Sequence, residues 1–275
     1  MGTLEVRLKI IIVLVLWAVT FYPIYPDLIE KWFIDSDNSH GVLVPLISGY
    51  LIWIKRDELS QTTISNSIWG GVILAFSLAL YIIGYLGAIA IITRLMIVFS
   101  LVGLVLFIFG KRMFSIIAFP LFFLIFMVPV PDTLYNLVTV PLQLQASKIS
   151  SFLINAVSIP VYREGNILYF AQTQLEVAEA CSGLRSMMAF LMLSFLFVYL
   201  MDKDKNLGRI LIILSAFPLA FFTNILRVTG TGILAHFYGG QIAQGFLHEF
   251  SGFVVFAFGF ILFVLEYLLL NKIKS

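Results

Sequence analysis

Apolar stretches of about 20 residues recur along the whole chain and alternate with short polar breaks. A membrane-crossing α-helix needs about 20 consecutive apolar residues, so this alternation is typical of a protein that crosses a bilayer many times. One stretch is short and contains Pro45, so it is expected to begin earlier or to pack obliquely. The pattern predicts eight transmembrane helices with approximate limits 10–26, 41–54, 68–88, 95–110, 113–131, 181–201, 210–227 and 249–270.

Two segments break the pattern. Residues 132–180 are less apolar but keep helical spacing, which predicts an amphipathic helix on the outer membrane surface. Ile167–Val177 then shows partial alternation, which favours a short hairpin. Residues 228–248 contain five glycines and are expected to form a broken re-entrant or surface element. The predicted fold is therefore an all-α polytopic membrane protein of about eight transmembrane helices, with an extracytoplasmic amphipathic helix and a short hairpin between spans five and six.

Composition narrows the class further. The 275 residues are 61% hydrophobic and 12% charged, whereas soluble domains have roughly 45–50% apolar and about 25% charged residues. We expect a single membrane-embedded domain over 1–275, with no fused soluble domain. No basic tail or interleaving of basic and aromatic residues suggests a nucleic-acid partner, and the 27 phenylalanines are interpreted as packing and lipid-facing residues that need no cofactor.

The distribution of positive charge orients the chain. Arg7 and Lys9 precede the first apolar stretch, which lacks a signal-peptide cleavage site and is expected to stay uncleaved. With the N-terminus in the cytoplasm and eight spans, eleven of the seventeen Lys and Arg residues fall on the inside, including Lys272 and Lys274. This bias has the sign that the positive-inside rule requires.

The same orientation brings three chemically able side chains to the extracytoplasmic face: Cys181, Arg227 and His248. Cys181 is the only cysteine, and it opens a predicted helix with Arg185 four residues later. A helix N-terminus and a nearby guanidinium both favour a thiolate, so Cys181 is a candidate nucleophile. The alternative is that Cys181 is a small buried apolar residue.

Arg227 and His248 also have two interpretations each. Arg227 is either an anchor at the membrane interface or a donor to a developing oxyanion or a substrate carboxylate. His248 is either a structural hydrogen-bonding residue or a general acid and base for a thiol. His40 and His236 are second-tier candidates. Three histidines without a second cysteine or a closely spaced histidine pair are a weak metal signal, so we predict neither a metal nor a cofactor.

Several of these motifs together resemble bacterial exosortases of the exosortase/archaeosortase family. The similarity spans most of the chain and is strongest from about 160 to 260. The motifs that carry it are Ala178–Ser186, Asn224–Val228 and His248–Gly252, with Ser39–Gly41 and Val161–Gly165 in addition. The cysteine motif followed by a spaced arginine and histidine is more specific than any one residue.

The resemblance implies a multi-pass enzyme of the bacterial inner membrane with its active site on the periplasmic, extracytoplasmic side. Its partners would be membrane-anchored proteins with a C-terminal sorting signal: a Pro-Glu-Pro-like motif, a transmembrane helix and a basic tail. The enzyme would cleave near the motif, with or without transfer of the new C-terminus to an acceptor. Cys181 matches the family's nucleophile, Arg227 its arginine and His248 its histidine, while Arg185, His40 and Asn224 lie in the matching motifs as supporting residues.

Two other classes of function stay open on the residues alone. A transporter or channel would line a pathway with polar residues near mid-membrane, whereas the charged residues here cluster at the predicted span ends. A membrane acyltransferase acting on a lipid or a glycan would share the outward-facing thiol.

Overall fold

The computed structural model describes residues 3–177, 184–201, 206–239 and 246–272, and most of them are helical. Within these residues, five helices are long and apolar enough to cross a membrane, or six if one bent pair counts as a single span. The predicted all-α polytopic class is therefore confirmed, while the count of eight crossings stays a prediction. The chain forms two compact units, residues 1–131 and 132–275, which are described in turn.

The N-terminal unit is a set of helices joined by short 3₁₀ turns. The first apolar stretch is bent, because the helical segments Ile11–Thr20 and Tyr22–Ile34 meet at 47°. The helix over the second predicted span has 12 residues and is about 18 Å long, shorter than the roughly 30 Å hydrocarbon core. The helices are α1 (Thr3–Thr20), α2 (Tyr25–Ile34), α3 (Leu43–Ile54), α4 (Arg56–Gln61), α5 (Ile68–Leu86) and α6 (Ala90–Phe123), with 3₁₀ turns at Tyr22–Ile24, Ser36–Val42 and Leu124–Met127.

Helix α6 covers two predicted spans and is interrupted between them. The backbone of Gly110 leaves the helical region, at φ 81° and ψ 179°. A Cβ atom there would lie 2.0 Å from the carbonyl oxygen of Ser65, so only glycine fits both the dihedral angles and the space. Val102 before the break and Leu121 after it belong to one buried cluster. The predicted boundary between 95–110 and 113–131 therefore coincides with a real break in the helix.

Helices α5 and α6 pack as an antiparallel pair at very short range. A Cβ atom on Gly70 would lie 2.1 Å from the backbone nitrogen of Phe107, and one on Gly103 would lie 2.6 Å from that of Leu74. Small residues at such points let helix backbones approach closely, which matters in lipid because packing, rather than the exclusion of water, drives helix association.

A buried arginine of the same unit is paired with an exposed aspartate. Arg94, which is 7% exposed, donates from Nη2 to the Asp27 carboxylate at 2.5 Å. An isolated buried charge is costly, so Asp27 supplies the compensation that lets α6 carry an arginine on its packed face.

In its described residues, the C-terminal unit combines four helices with a small antiparallel sheet in the order β1-β2-β3. Its elements are α7 (Asp132–Ala156), β1 (Tyr162–Glu164), β2 (Ile167–Tyr169), β3 (Gln174–Glu176), α8 (Leu184–Leu200), α9 (Asn206–Tyr238) and α10 (Phe246–Lys272).

The sheet confirms the predicted hairpin and extends it. Strands β2 and β3 pair with Leu168 opposite Leu175, both buried, within the predicted range 167–177. Strand β1 was not predicted as a strand; it pairs with β2 across a two-residue turn at Gly165 and Asn166, where Gly165 has φ 60°.

Helix α7 confirms the predicted helix within 132–180. Its buried residues form one stripe from Thr139 to Ile154 and include four polar side chains. Its length and hydropathy also place it among the helices able to cross a membrane, so its location on the outer surface stays a prediction. The buried stripe comprises Thr139, Gln143, Ala146, Ser147, Ser150 and Ile154.

The prediction of a broken element from residue 228 is wrong for 228–238, because α9 continues as a regular helix to Tyr238. Gly230 and Gly232 each cost the helix about 1 kcal/mol relative to alanine, but packing outweighs this cost. A Cβ atom on Gly232 would lie 2.7 Å from Ile154 Cδ1, so the glycine permits close packing on α7. Residues 240–245 lie outside the described part of the chain, and α10 begins at Phe246.

Replacing Gly70 with alanine should destabilise the protein. The new methyl group would force the α5 and α6 backbones apart, and overpacking of this kind costs about 1–3 kcal/mol. The matched control is Gly49→Ala in α3, where a Cβ atom meets nothing within 4 Å. Thermal unfolding in detergent, followed by tryptophan fluorescence, should show a lower Tm for Gly70→Ala and no loss for Gly49→Ala. Equal melting temperatures for both variants would contradict the close approach.

Candidate functional site

Helix α9 is the common support of the C-terminal unit, and one of its sides packs against α8 and α10. Ala216 and Ala220 of α9 share a buried cluster with Phe190 of α8 and Phe263 of α10. About one turn further along α9, a Cβ atom on Gly259 of α10 would lie 2.7 Å from both Phe190 Cζ and Thr223 Cγ2. Small residues thus hold three helices together about Thr223.

A second side of α9 packs against the sheet and the end of α7. Val228, which is 1% exposed, belongs to a buried cluster with Leu168 and Leu175 of the sheet and Ile154 of α7. Ser150 Oγ of α7 lies 3.4 Å from the carbonyl oxygen of Ile225, one turn earlier along α9. The sheet is therefore seated directly on the helix that carries Arg227.

Arg227 projects between these two packed sides. With 3.6 residues per turn, its side chain leaves the α9 axis about 40° from Thr223 and about 100° from Val228. Arg227 is partly buried, and Asn224 beside it is 3% exposed. Arg227 lies eleven residues before the end of α9 at Tyr238, not at the end of the helix as predicted, because the helix continues.

The segment that contains Cys181 begins at an anchored residue. Val177, which is 1% exposed, belongs to the same buried cluster as Val228. Its N–H donates to the carbonyl oxygen of Asn166 at 2.9 Å, and Asn166 Nδ2 lies 3.3 Å from its carbonyl oxygen. Cys181 lies outside the described residues; in the sequence it follows Val177 by four positions and precedes Leu184, the first residue of α8, by three. Both flanks of this segment are thus fixed to α9.

Helices α8 and α10 both run antiparallel to α9, their common neighbour. On α10, Gly259 meets Thr223 near one end, while Leu270 meets Gly208 near the other. On α8, Phe190 lies at the Thr223 level, whereas Met201 meets Gly208. The first turns of α8 and α10 therefore lie beyond the Thr223 level of α9, on the same side of that level as Arg227.

The rise of about 1.5 Å per helical residue gives the positions of these residues along the bundle axis. Beyond the contact of Thr223 with Gly259, Arg227 lies about 6 Å along the axis, and His248, in the first turn of α10, about 16 Å. Arg185 occupies the first turn of α8. The side chains of Arg185 and His248 lie outside the described part of the structure, so their predicted roles rest on backbone position. The structure brings the α-carbons of these residues toward one end of one bundle.

His40 lies in the N-terminal unit, in the 3₁₀ segment before α3. This segment is held firmly: Asp35 accepts from the Asp37 N–H at 2.9 Å and from Asn38 Nδ2 at 2.6 Å. Burial lowers the pKa of the His40 imidazole below its ordinary value of 6.5, although hydrogen bonds to the backbone of Asp37 and Phe126 and the charges of Asp37 and Asp35 act in the other direction. His40 is therefore held mainly neutral near pH 7.

The other second-tier histidine is packed against the sheet cluster. The His236 ring lies 6.4 Å from that of Phe170, centroid to centroid, in the last turn of α9. Among the described residues, no group of three histidine, cysteine, aspartate or glutamate side chains is placed to hold a metal ion.

Two asparagines that organise the site were missed from the sequence. Asn166 holds Val177, and Asn155 at the end of α7 donates to the carbonyl oxygen of Val161 and accepts from its N–H, both at 3.2 Å. The Gly165-Asn166 pair between two short runs is a recognised hairpin signal and would have located the first. No local signal marks Asn155, since its partner is set by how α7 meets the sheet.

Comparison with known proteins identifies one family. The family model described as transmembrane exosortase matches residues 32–265, which is most of the chain. No curated protein matches the chain, and neither does any solved structure.

The lowered pKa of His40 predicts a pH dependence of stability. Between pH 6.5 and its lower pKa in the folded state, the unfolded chain binds a proton that the folded chain does not, so acidification favours unfolding. The Tm of the wild type should therefore fall more between pH 7.5 and pH 5.5 than that of His40→Gln. His236→Gln is the matched control and should follow the wild type. A wild type and a His40→Gln variant with the same acid-induced fall in Tm would refute this.

Proposed function

The chain belongs to the transmembrane exosortase family, and we propose that it is a cysteine transpeptidase or endopeptidase acting on C-terminal sorting signals of exported proteins. The family consists of multi-pass membrane enzymes of the protease and transpeptidase class. Its substrates here would be membrane-anchored proteins with a Pro-Glu-Pro-type signal, cleaved on the extracytoplasmic side of the bacterial inner membrane.

One observation carries the proposal: the two ends of the Cys181 segment are both anchored on the helix that carries Arg227. Val177 is buried against Val228, and the α8 residue Phe190 packs beside Thr223. Arg227 projects between these two anchors. The thiol of Cys181, on the connecting segment, would therefore lie near the guanidinium of Arg227.

The proposed reaction is an acyl transfer through a thioester. The Cys181 thiolate adds to the scissile carbonyl carbon, and Arg227 stabilises the oxyanion of the tetrahedral intermediate. The C–N bond then breaks, and the leaving amine takes a proton from His248. Water, or an amine or hydroxyl of an acceptor, next attacks the thioester carbonyl, gives its proton to His248, and releases the thiolate.

Supporting residues fit this scheme by position. Arg185, in the first turn of α8, would stabilise the thiolate or hold the cysteine motif. Asn224 is buried one turn from Arg227 on α9 and would help orient the guanidinium. His40 lies in the N-terminal unit, and its proposed supporting role rests on the resemblance of Ser39–Gly41 to the family's motif.

Helix lengths agree with a site at the membrane surface. Arg227 lies about 32 Å along α9 from Asn206, and His248 about 36 Å along α10 from Lys272. With the positively charged ends of both helices in the cytoplasm, these distances match the roughly 30 Å hydrocarbon core. The substrate's transmembrane helix would dock laterally between the spans and present its signal at this level.

Co-expression with an exported reporter that ends in such a signal tests the proposal. Cys181→Ala should abolish C-terminal shortening of the reporter, measured by mass spectrometry. His248→Gln should slow it by about 10²–10⁴-fold and Arg227→Ala by about 10²–10³-fold, as expected for a general acid–base and an oxyanion donor. His236→Gln, a matched histidine outside the proposed site, should process the reporter normally.

Full shortening by Cys181→Ala would remove the nucleophile and the proposal with it. Labelling with a membrane-impermeant thiol reagent separates this enzyme from a transporter, since Cys181 should react from the extracytoplasmic side alone. The mass of the product separates a peptidase from an acyltransferase acting on lipid or glycan.

A further inference from the structure

The small sheet of the C-terminal unit has two edges, and they differ. Its order is β1-β2-β3, so β1 and β3 each have one side without a partner strand in the sheet. Strand β3 ends at Glu176, and the chain passes through the anchored Val177 into the Cys181 segment. The edge of β3 therefore leads directly to the proposed nucleophile.

The hydrogen bonds that flank β3 show which of its backbone groups face outward. Val177 donates to the carbonyl oxygen of Asn166, and Phe170 donates to that of Thr173 at 2.8 Å. In an antiparallel pair, bonded residues alternate with residues whose N–H and C=O point away. Leu175 is thus the bonded residue of β3, whereas Gln174 and Glu176 direct their backbone groups to the open side.

These outward groups are accessible in the described structure. Gln174 and Glu176 are both exposed, while Leu175 between them is buried. The carbonyl oxygen of Gln174 has one weak neighbour, the Thr173 hydroxyl, at 3.5 Å. Two N–H donors and two carbonyl acceptors are therefore spaced as an added strand requires.

The edge of β1 is capped at one end by a side chain. The same alternation directs the backbone of Val161 and Arg163 outward from β1. The side-chain amide of Asn155 in α7 donates to the carbonyl oxygen of Val161 and accepts from its N–H, which is the pattern that a neighbouring strand would form. Capping of this kind hinders strand addition beside β1, so the edge of β3 is the better candidate for it.

We propose that β3 binds the polypeptide segment of the substrate next to the scissile bond, as a fourth strand of the sheet. This inference rests on the proposed function, because a peptide substrate must present an extended segment to Cys181. Cys181 follows Glu176 by five residues, so at most about 17 Å of chain separates the edge of β3 from the proposed nucleophile.

Strand addition also suits an enzyme that processes several proteins. Main-chain hydrogen bonds supply affinity without reading side chains, and specificity is left to other contacts. The side chains of Gln174 and Glu176 lie on one face of the sheet, away from the buried Leu175, so they flank a bound strand without blocking its backbone.

Proline substitutions test the edge directly, because they remove an outward N–H and keep an extended backbone. With the sorting-signal reporter and the full-length enzyme in detergent, Glu176→Pro should lower kcat/KM about tenfold, the equivalent of one hydrogen bond. Glu176→Ala, which keeps the N–H, should retain wild-type kcat/KM. Arg163→Pro removes the outward N–H of β1, the strand to which no substrate is assigned, and should also leave kcat/KM unchanged.

A proline scan of the reporter tests the same contact without altering the enzyme. Proline at successive positions before the cleavage site should impair cleavage at every second position, since alternate N–H groups of an added strand face β3. Glu176→Pro with wild-type kcat/KM, or a scan without period two, would overturn strand addition while Cys181-dependent cleavage continued. Cleavage that survives Cys181→Ala would instead refute the proposed function.

Discussion

The packing of α9 on two of its sides is the constraint on which the C-terminal unit depends. One side holds α8 and α10 through alanine and glycine contacts, and the other holds the sheet through Val228. Each contact alone places one element. Together they fix the entrance and the exit of the Cys181 segment relative to a single helix, and the side chain between the two contacts is Arg227.

Close backbone approach recurs throughout the molecule. In the N-terminal unit Gly70 and Gly103 bring α5 against α6, and in the C-terminal unit Gly232 and Gly259 bring α7 and α10 against α9. Apolar side chains gain little by leaving lipid for other apolar side chains, so helix association in a membrane depends on such packing. These glycines explain how a chain this apolar forms specific helix pairs.

Much of the helical framework follows from local sequence. Apolar run length located α5 and the two halves of α6, and alternation located β2 and β3. Two features did not follow locally. The end of α9 was placed eleven residues early because the helix cost of Gly230 and Gly232 is small beside the packing gained. Strand β1 was missed because three residues carry almost no periodicity.

For the candidate site, the sequence predicts which residues take part better than it predicts their arrangement in space. The types and motif positions of Cys181, Arg227 and His248 are visible in the sequence. Their proposed convergence depends on how α7, the sheet and α10 meet α9, which are contacts between residues far apart in the chain. The same holds for Asn155, whose role as the cap of β1 exists only in the folded unit.

The central claim, that the Cys181 segment faces Arg227, is tested most directly by a distance. The chain has a single cysteine, so Arg227→Cys leaves two thiols, and a short bifunctional thiol reagent should link them, as detected by mass spectrometry after proteolysis. A cysteine at Leu211, four turns away on α9 and about 24 Å along its axis, is the matched control and should not link. No link from position 227, or equal linking from both positions, would contradict the account.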